Sequence, residues 1–226
     1  MSFAAELIAA ARSVDLPAAS FIAAVRGGTC GRETLRRYSV YGVQLAELFP
    51  RILAALLAVC DDPVARRLLI GNLLEEEGHV RGVGGEAELD PERAHGALAR
   101  RFARAAGAGE AELAIPAQPP RWFTAALATG EWLAPFAYFG VGIESNVSVA
   151  FGEIVTPLRT HYGFSEREVA FFAEHTVADE RHGATSAELV ARLATTAEAR
   201  RRVLRATMRG ARGFRMLHDT MLETAA

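Results

Sequence analysis

Between Pro135 and Phe151 the chain carries a single charge, the carboxylate of Glu144. The other side chains of this stretch are small or apolar around most of a helical wheel. A helix formed here is therefore covered on nearly all sides. Such a helix needs a shell of neighbours, and the rest of the sequence offers helices and little else. Alanine, leucine, arginine and glutamate dominate, and alternating β-branched runs are scarce. The expected fold is an all-α single domain spanning residues 1–226, a compact multi-helix bundle. That length suits one full core and is short for two.

Punctuation divides the chain into helices. Residues 3–12 and 18–26 read as short helices split by Pro17, and Gly27, Gly28 and Gly31 break the chain after them. A helix over 32–60 ends at Asp61-Asp62-Pro63, and a helix over 64–78 runs into a glycine-rich turn from Gly78 to Gly85. Asp90-Pro91 starts a helix that reaches about Ala106, with aspartate as cap and proline at the first position. Residues 107–120 form a connector. Helices follow over 121–129 and about 134–161, the latter ended by Gly163. Ser165 and Glu168 form a capping box for a helix over 166–193, and Thr196 caps a last helix over 197–222. There is no repeat and no linker long enough to divide domains.

Composition removes several function classes. A net charge of −2 gives no global case for nucleic acid. The longest strictly apolar run, Ile52 to Cys60, falls well short of the roughly 20 residues a bilayer span needs, so no membrane helix is expected. Glu6 and a late Arg12 are the wrong order for a secretory signal. Cys30 and Cys60 cannot make a disulfide framework, so a reducing cytoplasm is the expected location. All 25 basic residues are arginine, which excludes a lysine Schiff base, a phosphate-loop lysine and a lysine nucleophile.

The strongest chemical signal is His175, Asp179 and His182, spaced i, i+4, i+7 in the helix expected over 166–193. At about 100° per residue they share one face over two turns, as metal ligands would. A solvated polar face with Glu174, Glu180 and Arg181 is the plainer reading. Glu144 adds weight, because a lone buried carboxylate must be neutral, paired or coordinated. Ala137, Gly140, Val141 and Ser148 on its face are mostly small and leave room for a cofactor or substrate. Glu76 and His79 have the E-x-x-H spacing of carboxylate-bridged di-iron bundles. Glu75 and His95 compete for the same roles, and Glu47, between Leu45 and Leu48, is an outside candidate. His161 and His218 read as surface residues.

Together, Glu76, His95, Glu144 and the His175-x3-Asp179-x2-His182 run resemble the ligand pattern of the heme-oxygenase-like di-iron oxidases, which share the helical fold of heme oxygenase, TenA and PqqC. The segment Asn72-Leu-x-Glu75-Glu76-x-Gly78, followed by Ala94-His95-x-x-Leu98-x-x-x-Phe102, is similar as well. The resemblance covers about residues 32–190, and Glu144 precedes His175 by 31 positions. One departure is an insertion: 18 residues separate Glu76 from His95. The sequence around His95 matches the family pattern and that around His79 does not, so His95 is preferred.

The resemblance implies a bundle of the heme-oxygenase-like type holding two iron ions, with manganese as the substitute. Dioxygen would be co-substrate, and heme is not expected because the first histidine of the chain is His79. Glu76 and His95 would serve one iron and His175 and Asp179 the other, with Glu144 and His182 completing the set. The activity implied is oxidation of a small amine or amino-acid-like substrate, by N-oxygenation or oxidative C–C cleavage, in specialised metabolism. Phe136 stands where thiaminases of this fold carry a nucleophilic cysteine, so that chemistry is not expected. The chlamydial member that makes para-aminobenzoate uses a lysine near its cluster, and its self-sacrificing route is not expected in a chain without lysine.

Tyr138, Ser145, Asn146, Ser148, Phe139 and Phe172 are candidates for the substrate pocket. Arg181 could hold a substrate carboxylate, although a solvated arginine is the plainer reading. Arg202, Arg205, Arg209 and Arg212 form a basic stripe read as a solvated or subunit face. The expected partner is a small-molecule substrate; an external electron donor and a homodimer are compatible with the same reading. The competing functions are a metal-free TenA-like binding or regulatory protein and a PqqC-like cofactor-independent oxidase.

Overall fold

The computed structural model describes residues 1–81 and 87–222. Helices account for nearly all of its regular structure. In chain order they are α1 (Phe3–Arg12), α2 (Ser20–Arg26), α3 (Arg32–Val59), α4 (Pro63–Glu76), α5 (His95–Ala105), α6 (Glu110–Leu113), α7 (Arg121–Ala128), α8 (Leu133–Phe136), α9 (Glu144–Tyr162), α10 (Ala170–Leu193) and α11 (Ala197–Thr220). A π-helical segment, Ala137–Ile143, joins α8 to α9. The chain divides into two compact units, one of residues 1–31 and 131–226, the other of residues 32–130.

The second unit is built on α3, against which α4 and α5 pack. By length and composition α3 could cross a bilayer. It buries Leu35, Ile52 and Leu56, while its Glu47 and Arg51 bond to Arg100 and to the Ala117 carbonyl. Asp62 accepts from the amides of Val64 and Ala65 and so caps α4, with Pro63 at the first helical position. The acidic pair expected to end one helix thus starts the next. After α4 the chain forms a short antiparallel hairpin, β1 (His79–Arg81) on β2 (Ala87–Leu89), with His79 opposite Leu89. This corrects the expectation of a plain glycine-rich turn, whose residues 82–86 lie outside the described residues. Asp90 caps a 3-10 turn, Pro91–Arg93, rather than α5, which begins only at His95. The expected connector 107–120 contains α6.

In the first unit α9 and α10 pack together, and the π segment lies on α11 and α10. Side-chain contacts set an antiparallel register. A Cβ on Gly140 would meet Ser186, one on Gly183 would meet Ser145, and one on Gly152 would meet Thr176. The space expected beside Glu144 at Gly140 is therefore filled by Ser186, whose Oγ would lie 2.8 Å from an added Cβ. Ser165 and Glu168 do form their reciprocal bonds, yet α10 starts later, at Ala170. Gly163, at φ +77°, ends α9 as expected.

Candidate metal centre

In the second unit, Glu76 occupies the last position of α4 and His95 the first of α5. Gly78 brings these ends together. Its φ is +86°, and any Cβ would strike the Asp90 carbonyl and approach the Ala94 nitrogen to 2.8 Å. The Asp90 amide also donates to the Gly78 carbonyl at 2.9 Å. Gly78, Asp90 and Ala94 thus meet beside the end of α4. As a result His95 Nδ1 lies 2.8 Å from Glu76 Oε2, both residues being buried at 4% and 6% exposure. The positive end of the α5 dipole favours a carboxylate at that place.

The alternatives sit elsewhere. Glu75 is half-buried, and half-buried His79 lies in the hairpin. Glu47 is engaged by Arg100, with Nε donating to Oε1 at 2.5 Å.

In the first unit, Glu144 is the first residue of α9 and is 5% exposed. The next residue, Ser145, lies against Gly183, which follows His182 on α10. Asp179 and His182 are both 5% exposed, and Asp179 Oδ1 lies 3.7 Å from His182 Nδ1. His175 is half-buried, with Nδ1 2.7 Å from the Phe171 carbonyl. That contact sets the tautomer that protonates Nδ1 and gives Nε2 the lone pair a metal uses. The same contact occurs at His218, where Nδ1 lies 2.8 Å from the Phe214 carbonyl. The contact alone therefore marks no ligand; the carboxylate one turn away at Asp179 distinguishes His175.

His218 corrects the expectation of a surface residue. It is fully buried against Phe21 and Phe214, and desolvation lowers its pKa from 6.5 to about 4. His161 is exposed, as expected.

The pocket candidates are spread along the same helices. Phe172 packs on Phe151, ring centroids 5.0 Å apart, and Phe171 lies tilted against His175, centroids 4.3 Å apart. Ser145 and Ser148 are buried on α9. Tyr138 is half-buried, its hydroxyl close to Gly213 of α11. Burial raises its pKa. Arg181 is exposed, with its guanidinium 3.3 Å from His182 Nε2. Asn146 is 3% exposed and bonds only to backbone carbonyls, a role the sequence reading did not assign.

The donor set fits iron. Glu76, Glu144 and Asp179 are carboxylates held away from water, a placement that costs several kcal/mol per ion without compensating charge. Two of them lie against imidazoles, and the set holds nitrogen and oxygen donors without thiolate, which suits iron or manganese.

Two solved structures share this fold. A TenA homolog from Pseudomonas syringae pv. tomato superposes with a TM-score of 0.72 at 13% identity, covering 98% of this chain and 90% of that one. A domain of unknown function with a heme oxygenase-like fold from Shewanella denitrificans gives 0.67 at 14% identity, covering 97% and 90%. The protein is thus a helical protein of the heme oxygenase-like fold. Residues 33–214 match the sequence model of the family described as iron-containing redox enzyme, and the chain belongs to that family.

Among curated proteins, the 4-aminobenzoate synthase of Chlamydia muridarum is 30% identical over 169 residues, covering 72% of this chain and 66% of that protein. The 4-aminobenzoate synthase of Chlamydia trachomatis is also 30% identical over 169 residues, covering 72% and 68%. The match spans about two thirds of the length of these relatives.

Proposed function

We propose that this chain is a non-heme di-iron oxidase that uses dioxygen to oxidise a small amine or amino-acid-like substrate. Glu76, His95, Glu144, His175, Asp179 and His182 are its metal ligands. The observation that carries this reading is the pairing of buried carboxylate with imidazole in both units: Glu76 with His95, and Asp179 with His182. Membership of an iron-containing redox family supports it, as does the 4-aminobenzoate synthase name borne by relatives at 30% identity.

Bound iron would supply the electrons with which dioxygen is reduced, and manganese is the substitute metal. The protein's own part is arrangement. Phe171 holds the His175 ring through its carbonyl, and the Gly78 turn sets His95 against Glu76. Phe151 and Phe171 set their rings against His175, Phe172 packs behind them, and together they keep water from that side. The substrate would lie near α9 and α10, where Tyr138, Ser145, Ser148 and Phe172 are the candidate contacts. An external donor would complete the electron supply, and the cytoplasm is the compartment we assign.

Anaerobic reconstitution with ferrous iron tests this. About two irons per chain are expected, with a transient visible band when oxygen is admitted. Both should be lost in Glu144→Ala and His175→Ala. An apoprotein that takes up no iron, or uptake in both variants that matches the wild type, overturns the proposal.

A further inference from the structure

The first residue of α9, Glu144, follows directly on the π-helical segment Ala137–Ile143. A π turn widens the helix and directs carbonyls off the α ladder, so it needs outside support. Asn146 supplies it. Its Nδ2 donates to the Gly142 carbonyl at 2.9 Å and to the Ala11 carbonyl at 3.1 Å, spending both amide hydrogens. Two carbonyl partners fix the side-chain orientation, since only the nitrogen end can face them. Ala11 is fully buried near the end of α1, so one side chain ties the α–π junction to a second helix. The adjacent Arg12 donates from Nε to the Ser145 carbonyl at 3.3 Å. On the opposite side Gly142 is pressed on Thr207 and Ala211 of α11. Residues 142, 145 and 146 are thus held by neighbouring helices, and Glu144 stands between them.

We propose that Asn146 is the positioning residue of the metal centre: its double bond to Gly142 and Ala11 sets the α–π junction and aims Glu144. The inference rests on Glu144 being a ligand. Asn146 touches no metal and acts through that carboxylate.

The test compares cobalt(II) binding by the full-length apoprotein and three variants, read by the visible ligand-field spectrum and by titration. Circular dichroism runs alongside. Asn146→Ser removes the reach to Ala11 and should weaken cobalt binding about ten- to a hundredfold, the range for groups that orient ligands. Its cobalt band should shift while helical content is kept. Asn146→Gln, which keeps both donors, should recover part of the affinity. Glu144→Gln should abolish the site.

Wild-type affinity and band in Asn146→Ser, with loss in Glu144→Gln, overturns the positioning role and leaves the metal reading standing. Wild-type binding in Glu144→Gln overturns the metal reading and this inference with it. Should Asn146→Ser not fold, Asn146→Leu decides. It keeps the size of the side chain and removes both donors to Gly142 and Ala11; a shifted band supports the role and an unchanged band overturns it.

Discussion

His218 shows how one residue can govern the acid limb of stability. Its imidazole stays neutral in the folded protein because it is buried between Phe21 and Phe214. With a folded pKa of about 4 against 6.5 for the ordinary group, the unfolded chain binds an extra proton between those values. Stability is therefore full above about 6.5 and falls as the pH drops toward 4, by on the order of 3 kcal/mol from this group. Urea unfolding of metal-free protein across that range should show the loss, and His218→Gln should flatten the curve. An unchanged slope in the variant would remove His218 from the account. The sequence placed this histidine on a polar helix, between Leu217 and Asp219, and its neighbours in the chain gave no sign of Phe21.

At the scale of elements, α9 and α10 touch through small residues. An added Cβ on Gly183 would lie 2.7 Å from Ser145 Oγ and 3.0 Å from Ser145 Cα. Backbone on the far side cannot give way cheaply, so Gly183→Ala should lose about 1–3 kcal/mol by overpacking. It should also weaken metal binding, because His182 and Glu144 flank the contact. Thermal denaturation and cobalt titration check the two effects. Gly31→Ala, at a glycine whose Cβ would meet nothing within 4 Å, serves as the reference. The helical stretch 134–161 was legible from its apolar pattern, and its π segment was not. Periodicity reports which faces are buried, and one extra residue in a turn barely alters that pattern. The capping box at Ser165 was legible as a bonding pair, and its distance from the start of α10 was not.

For the molecule as a whole, the proposed centre would couple metal binding to folding. Buried carboxylates that a cation neutralises make the loaded protein more stable than the apoprotein. Adding ferrous iron anaerobically should raise the thermal midpoint, and removing it with a chelator should reverse the rise. The increment should vanish in His175→Ala. An unchanged midpoint in the wild type would separate these acids from any metal.

The sequence by itself determined the helical architecture, the burial of Glu144 and the shared face of His175, Asp179 and His182. These are local consequences of period and charge, which adjacent residues carry. It also singled out Glu76 and His95, on matched segments rather than geometry. Tertiary structure alone decided that Gly78 meets Asp90 and His95 lies against Glu76, that Ser186 fills the space at Gly140, that His218 is enclosed, and that Asn146 bridges Gly142 to Ala11. Each of these joins atoms far apart in the chain, through contacts that exist only after the helices have packed.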